Sequence, residues 1–318
     1  SDGSIRIRNG LSSNTTKIEN FTFEDGTRYT YADILTKLVT EGTSAPETLR
    51  GSVVGETIKG EAGDDSIDAL EGNDTIYGGD GADTINTGSG DDSIDALEGN
   101  DTIYGGDGAD TINTGSGDDV VYGGSGNDSI YNEFGNDYID GGDGDDYIET
   151  RSGNDTIVGG KGNDSIYESS SGNDTFIYNL GDGNDTIYNH GYSDSDTIQF
   201  GDGITPENVR FHGEDNDLVI TFEGSDGSIR VRNGLSSDTT KIENFTFEDG
   251  TAYTYEEVLS KLVTEGTSSP ETLRGSVVGE TIKGEAGDDS IDALEGNDTI
   301  YGGDGADTIN TGSGDDVV

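Results

Sequence analysis

An apolar residue recurs every nine positions along the first half of the chain: Ile58, Ile67, Ile76, Ile85, Ile94, Ile103, Ile112, Val121, Ile130, Ile139, Ile148 and Ile157. Between them Gly holds the sixth place from Gly63 to Gly162, Asp holds the eighth from Asp65 to Asp164, and the ninth is Thr, Ser, Val or Tyr. A helix cannot use this period. At about 100° per residue, nine residues make two and a half turns and set successive isoleucines on opposite faces. A coil of strand, turn, strand, turn can use it. Thr75-Ile76-Tyr77 makes a short strand with the isoleucine inward, and the following "GGDGAD" makes a turn in which Gly supplies backbone angles closed to other residues. Two units then close one coil of about 18 residues, and coils stack as parallel strands about 4.8 Å apart. Twelve units without a slip demand a structural period of this kind.

Longer repeats enclose the short one. "DDSIDALEGNDTIYGGDGADTINTGSG" stands letter for letter at 64–90, 91–117 and 288–314. Residues 1–31 return, nearly unchanged, at 225–255, a spacing of 224. The opening "SDGSIRIRNG" reads as the middle of a domain, so the expectation is an excerpt from a longer protein that holds one full unit and parts of its neighbours.

After Ser165 the nine-residue spacing stretches to ten and eleven. Residues 200–266 then follow a different pattern. The alternation in "NVRFHGEDNDLVITFEG" and "GSIRVRNG" predicts antiparallel strands with a turn at Gly213 to Asn216, and "KIENFTFEDGTAYTY" adds one or two more around Asp249-Gly250. "TYEEVLSKLVTEG" predicts a short helix. Thr254 and Glu257 form its capping box, Val258, Leu259, Leu262 and Val263 one face, and Gly266 its stop.

Composition narrows the chemistry. The chain has 318 residues, 67 acidic against 16 basic, a net charge of -51, 28% hydrophobic residues, 53 Gly and only 3 Pro. Such a balance ordinarily means disorder, and the strict period argues against it here. The charge excludes nucleic acid and anionic membrane surfaces as partners and favours a multivalent cation. There is no Cys for a disulfide or thiolate site, and no apolar run long enough to span a membrane.

Two isoleucines per coil bury too little to offset the ordering of about 18 residues. Stacking also sets like charges in columns, Asp92, Asp110, Asp128, Asp146 and Asp164 on one edge, Asp83, Asp101, Asp119, Asp137 and Asp155 on the other. A hard cation between turns reverses the sign of that repulsion. Carboxylate and carbonyl oxygens in flexible geometry suit Ca2+ better than Mg2+ or Zn2+. The flanking helices and terminal Glu of an EF-hand are missing from these turns. His190 and His212, the only histidines, are too few for a three-histidine zinc site and fit surface polar roles. No carboxylate pair stands out as acid and base, so no enzyme is expected. The "ND[ST]" triplets follow from the repeat and carry no glycosylation signal of their own.

"GGDGADTIN" (78–86) and "GGSGNDSIY" (123–131) fit the calcium-binding nonapeptide of RTX (repeats-in-toxin, haemolysin-type) proteins, which the chain resembles over nearly half its length. Residues 200–266 resemble, more loosely, the haemolysin-type calcium-binding related domain that commonly follows such blocks. The resemblance implies an all-β fold, a parallel β-roll alternating with a small antiparallel β domain that carries one short helix. The domains then run 1–43 (partial haemolysin-related domain with its C-terminal helix), 44–57 (linker and roll cap) and 58–199 (calcium roll). They continue through 200–266 (haemolysin-related domain plus helix) and 267–281 (linker and cap) to 282–318 (start of a second roll).

The resemblance further implies Ca2+, on the order of ten or more ions, between turns. The motif maps the ligands to Asp65, Asp74, Asp83, Asp92, Asp101, Asp110, Asp119, Asp128, Asp137, Asp146, Asp155, Asp164, Asp174 and Asp185, and in the second block to Asp289, Asp298, Asp307 and Asp316. Turn carbonyls near Gly79, Gly81, Gly106, Gly108, Gly124, Gly126, Gly142, Gly144, Gly160 and Gly162 complete them. Asp174, Asp185 and Asp196 follow the stretched spacing and are the weaker candidates. The double glycine is intact at 105–106, 123–124, 141–142 and 159–160, whereas the other flank reads "AL", "TG", "NE" and "TR", so the first flank is expected to hold the more regular sites.

The leading functional expectation is a calcium-stabilised structural segment of a large bacterial protein, extracellular or on the cell surface: a fibre, an S-layer-like coat or an adhesin stalk. Type I export and folding on external calcium follow from the resemblance, and end-to-end self-association from the tandem units. The alternative is the carrier region of an RTX toxin or polysaccharide-modifying enzyme. A third reading, glycan binding, rests on a stripe of Tyr104, Tyr122, Tyr131 and Tyr167. Neither nucleic acid nor membrane insertion is expected.

Overall fold

The computed structural model describes residues 18–169, 171–191, 195–236 and 239–318. The start of the first repeat copy, residues 1–17, lies outside the described residues. The chain forms two compact units, Ser1–Gly141 and Gly142–Val318.

In the first unit the nine-residue period becomes two parallel ladders. One carries Val39–Glu41, Thr57–Ala62, Thr75–Asp80, Ser93–Glu98, Thr111–Asn113 and Ser129–Tyr131. The other carries Thr48–Arg50, Ser66–Asp68, Thr84–Asn86, Thr102–Asp107 and Val120–Ser125. Ile58 pairs with Ile76 and Ile76 with Ile94 on the first ladder; Ile67, Ile85, Ile103 and Val121 pair in turn on the second. Partners stand eighteen residues apart, which is the coil that two nonapeptides predict. Every one of these side chains is buried between the ladders. The ladders begin one coil before Ile58, because Val39–Glu41 and Thr48–Arg50 already pair in register with Thr57–Ala62 and Ser66–Asp68. An antiparallel hairpin, Asn20–Thr22 with Arg28–Thr30, and a one-turn helix, Tyr31–Leu35, precede them.

The two adjacent glycines of each turn are required for different reasons. The second takes a left-handed backbone, with φ of 119° at Gly79 and 99° at Gly106. Where a side chain stands at that place the backbone keeps the conformation, at 83° for Leu70 and 79° for Leu97, at a cost of roughly 1–2 kcal/mol each. The first glycine is constrained by contact, since an added Cβ at Gly78 or Gly105 would meet a carbonyl one coil on.

The second unit starts with two ladders of the same kind, Tyr147–Thr150, Ser165–Glu168 and Asn184–Asn189 on one side and Thr156–Lys161, Thr175–Tyr178 and Thr197–Phe200 on the other. The haemolysin-related segment extends both. Ser228–Val231 pairs in parallel with Asn184–Asn189, and Asn244–Phe247 with Thr197–Phe200. The antiparallel strands predicted for this segment are added outside them: Val209–Glu214 with Asp217–Phe222, Asp217–Phe222 with Ser228–Val231, and Ala252–Thr254 on Asn244–Phe247. As the coil spacing lengthens, Phe200, Phe211, Phe222, Phe245 and Phe247 take over the interior, packing edge-on or tilted against one another.

The helix covers Tyr255–Leu259 with the predicted capping box of Thr254 and Glu257. It ends earlier than the apolar pattern suggests. Leu262 is buried because it meets Phe211 across a bridge, and Val263–Glu265 is already the first strand of the next roll, so Gly266 does not stop the helix. That second roll stacks Val263–Glu265, Thr281–Lys283 and Thr299–Tyr301 on one side and Thr272–Arg274, Ser290–Asp292 and Thr308–Asn310 on the other. Its attachment runs through Asp215. The Asp215 amide donates to the Gly275 carbonyl at 3.3 Å, the Val277 amide donates to the Asp215 carbonyl at 3.1 Å, and the Asp215 carboxylate pairs with Arg274 at 2.8 Å.

Candidate metal centre

The aspartates at the eighth place form hydrogen-bonded chains up each ladder. Oδ1 of each accepts the amide of the aspartate one coil earlier. Asp65 donates to Asp83 at 2.8 Å, Asp83 to Asp101 and Asp101 to Asp119 at 2.7 and 2.8 Å, while Asp74, Asp92 and Asp110 form the parallel chain to Asp128. Asp119 donates to Asp137 in the first unit, and Asp146 to Asp164 and Asp155 to Asp174 in the second. The stretched coils keep the pattern at longer intervals, Asp164 to Asp185 and Asp174 to Asp196. In the second roll Asp289 donates to Asp307 and Asp298 to Asp316, and these last two acceptors are partly exposed.

Oδ1 is therefore satisfied, whereas many of the Oδ2 atoms are not. The Oδ2 atoms of Asp65, Asp74, Asp83, Asp92, Asp101, Asp110, Asp119, Asp164, Asp289 and Asp298 are buried and accept no hydrogen bond. A buried carboxylate oxygen left this way is costly. Burial drives Asp65, Asp74, Asp83, Asp92, Asp101, Asp110, Asp119, Asp164 and Asp298 upward, opposed by the amide each accepts and aided by neighbouring carboxylates. Asp74, Asp83 and Asp110 reach about 6, Asp101, Asp119 and Asp164 about 7, and Asp185 about 8.

The bare oxygens face carbonyls across a space kept open by glycine. A Cβ added at Gly60 would stand 2.6 Å from Asp65 Oδ2 and closer still to the Gly78 carbonyl. At Gly78 it would meet Asp83 Oδ2 and the Ala96 carbonyl, each at 2.7 Å, and at Gly105 it would meet Asp110 Oδ2 at 2.8 Å beside the Gly123 carbonyl. The carbonyls of Gly81, Gly106 and Gly108 in the first unit, and of Gly142 and Gly144 in the second, likewise face the glycine one coil on. Among the described residues no three His, Cys, Asp or Glu side chains cluster as a metal site. The donor set is one of single carboxylates and backbone carbonyls, all hard oxygens. It fits Ca2+ and offers nothing to a softer metal.

Asp196 differs from the rest. Its Oδ1 takes the Asp174 amide and its Oδ2 accepts from Asn189 Nδ2 at 2.7 Å, so both oxygens are used by the protein. Glu47, Glu56, Glu271 and Glu280 were not singled out in the sequence, although counting nine and eighteen back from Asp65 and Asp289 finds them. Each donates its amide to the aspartate one coil on. Glu47 and Glu271 turn back onto their own coil, to the Thr43 amide at 2.7 Å and the Thr267 amide at 2.8 Å, whereas Glu56 and Glu280 accept the hydroxyls of Thr40 at 3.2 Å and Thr264 at 2.8 Å, on the strands Val39–Glu41 and Val263–Glu265. They stand at the start of each ladder, in place of the aspartate.

The tyrosine stripe divides. Tyr104 and Tyr122 stack at 5.2 Å on one ladder of the first unit, while Tyr131 lies on the other. Tyr167 stacks on Tyr188 at 4.2 Å in the second unit. His212 is structural. Its Nδ1 meets the Val263 carbonyl at 2.6 Å and its Nε2 the Thr221 hydroxyl at 2.8 Å, tying the hairpin to the second roll.

A stack of turns that presents bare carboxylate and carbonyl oxygens to a hard cation defines a calcium-binding repeat protein. The chain matches the family described as RTX calcium-binding nonapeptide repeat (4 copies) at 51–85, 59–94, 77–112, 86–121, 95–130, 104–139, 131–166 and 280–318. It matches the haemolysin-type calcium binding protein related domain at 1–33 and 217–257. The chain belongs to the RTX calcium-binding repeat family. Neither match is an enzyme family. No curated protein matches it in sequence. Among the described residues no helix is long and apolar enough to cross a membrane.

Proposed function

We propose that the chain is a structural segment of a large secreted or cell-surface bacterial protein, a fibre, surface coat or adhesin stalk. Its 224-residue units join end to end, and it folds where extracellular calcium is abundant. The supporting observation is the near-exact return of residues 1–31 at 225–255, 224 residues on. In the second copy Val258 and Leu262 are buried, with Phe211 of the Val209–Glu214 strand bridging to Leu262, and Asp215, in the turn that follows, bridging to Ser276. In the first copy Val39 and Val53 are 51% and 43% exposed. Exposed apolar side chains on a repeated unit suit contact with another copy, and tandem units of one sequence stack end to end.

Sedimentation velocity of the chain at about 1 mM calcium tests this. Concentration-dependent assembly is expected, weakened at least tenfold by the pair Val39→Asp and Val53→Asp. A chain that stays monomeric at every concentration in calcium overturns the reading.

A further inference from the structure

Calcium binding leaves open which aspartates hold ions, and any assignment of individual sites rests on that reading. Each carboxylate faces the third residue of its own nonapeptide, five positions earlier. Beside Asp65, Asp83, Asp110 and Asp128 that residue is Gly60, Gly78, Gly105 and Gly123, and an added Cβ would press against both the Oδ2 and a carbonyl from the next coil. Beside Asp74, Asp92, Asp101, Asp119 and Asp137 it is Ala69, Thr87, Ala96, Thr114 and Asn132, whose side chains are buried in the same place. Thr87 and Asn132 also bond within the protein, Thr87 Oγ1 to the Gly105 carbonyl and Asn132 Nδ2 to Thr114 Oγ1 at 3.0 Å. There are thus open cradles and filled ones.

The open cradles change sides. Gly60 and Gly78 lie on the ladder of Thr57–Ala62 and Thr75–Asp80, whereas Gly105 and Gly123 lie on the ladder of Thr102–Asp107 and Val120–Ser125. The cause is the exact copying of 64–90 into 91–117. Twenty-seven residues are three nonapeptides, or one and a half coils, so every tripeptide of the second copy lands on the opposite ladder from its twin. Thr75–Asp80 and Thr102–Asp107 have the same sequence and sit on opposite sheets. The isoleucine core tolerates this because both ladders present the same inward residue.

We propose that the calcium stripe of the first unit crosses the roll. Ions bind beside Asp65 and Asp83 on one edge and beside Asp110 and Asp128 on the other, with a metal-free crossover at Asp92 and Asp101, where Thr87 and Ala96 fill the space. In the second unit the same rule opens the cradles of Asp164, Asp289 and Asp307, at Gly159, Gly284 and Gly302, and closes those of Asp155 and Asp298, at Thr150 and Ala293.

Counting bound calcium by native mass spectrometry, on the full chain and its variants, decides the matter. Asp83→Asn and Asp110→Asn each lose at least one ion, whereas Asp92→Asn and Asp101→Asn leave the count unchanged. Ala96→Gly gains one ion, an outcome that misfolding cannot produce. Equal losses from all four Asn variants, or no gain from Ala96→Gly, overturn the crossover while leaving calcium binding intact. An unsubstituted chain that binds no calcium overturns the calcium reading and the crossover with it.

Discussion

Stripped of calcium at about pH 7.5, the chain loses most of its strand signal, and acidifying the calcium-free chain to about pH 5 restores much of it. The reason is the buried Oδ2. Burial raises Asp74, Asp83 and Asp110 to about 6 and Asp101, Asp119 and Asp164 to about 7 in the fold, from an ordinary 3.8. A group whose folded pKa exceeds its unfolded one binds more protons when folded. Its contribution is fully present below the unfolded value and is lost as pH climbs through the folded one. The calcium-free roll therefore weakens between about pH 4 and pH 7. Bound calcium reverses the dependence at Asp83, Asp110 and Asp164, where it needs the carboxylates ionised and protons compete with it. Circular dichroism against pH, with and without calcium, reads both limbs. High salt screens the net charge of -51, which would otherwise push the same way. A calcium-free chain that unfolds further on acidification contradicts the mechanism.

Ile103→Ala in calcium is expected to cost about 2–5 kcal/mol by denaturant titration. Ile103 is fully buried, and its neighbours up and down the ladder, Ile85 and Val121, cannot close the gap without leaving register. Ile309→Ala, on a partly buried strand at the far end of the second roll, should cost less than half as much. Equal costs at the two sites would mean that the isoleucine column does not set the strength of the roll.

The roll was legible because one period fixes everything that repeats: inward isoleucine, turn glycine and ladder aspartate. Gly60 and Gly105 could be read as turn residues, but not as cradle walls, since that depends on a carbonyl one coil away. The starting coil was missed as part of the roll because Glu47 and Glu56 stand where aspartate is expected and Thr40 and Leu49 where isoleucine is. The helix end was misread for a related reason. Leu262 continues the helical apolar spacing, yet it is buried by Phe211 of a distant hairpin, a contact no local pattern contains. The haemolysin-related strands showed their alternation plainly, but not that Ser228–Val231 and Asn244–Phe247 would prolong the roll's own ladders in parallel.

Crystals grown with calcium and measured at a wavelength where calcium scatters anomalously give the most direct test. Peaks are predicted about 2.3–2.6 Å from Oδ2 of Asp83 and of Asp110, each also within reach of a turn carbonyl. Those two oxygens bonded instead to water or to a protein donor, with no anomalous peak beside either, would contradict the account.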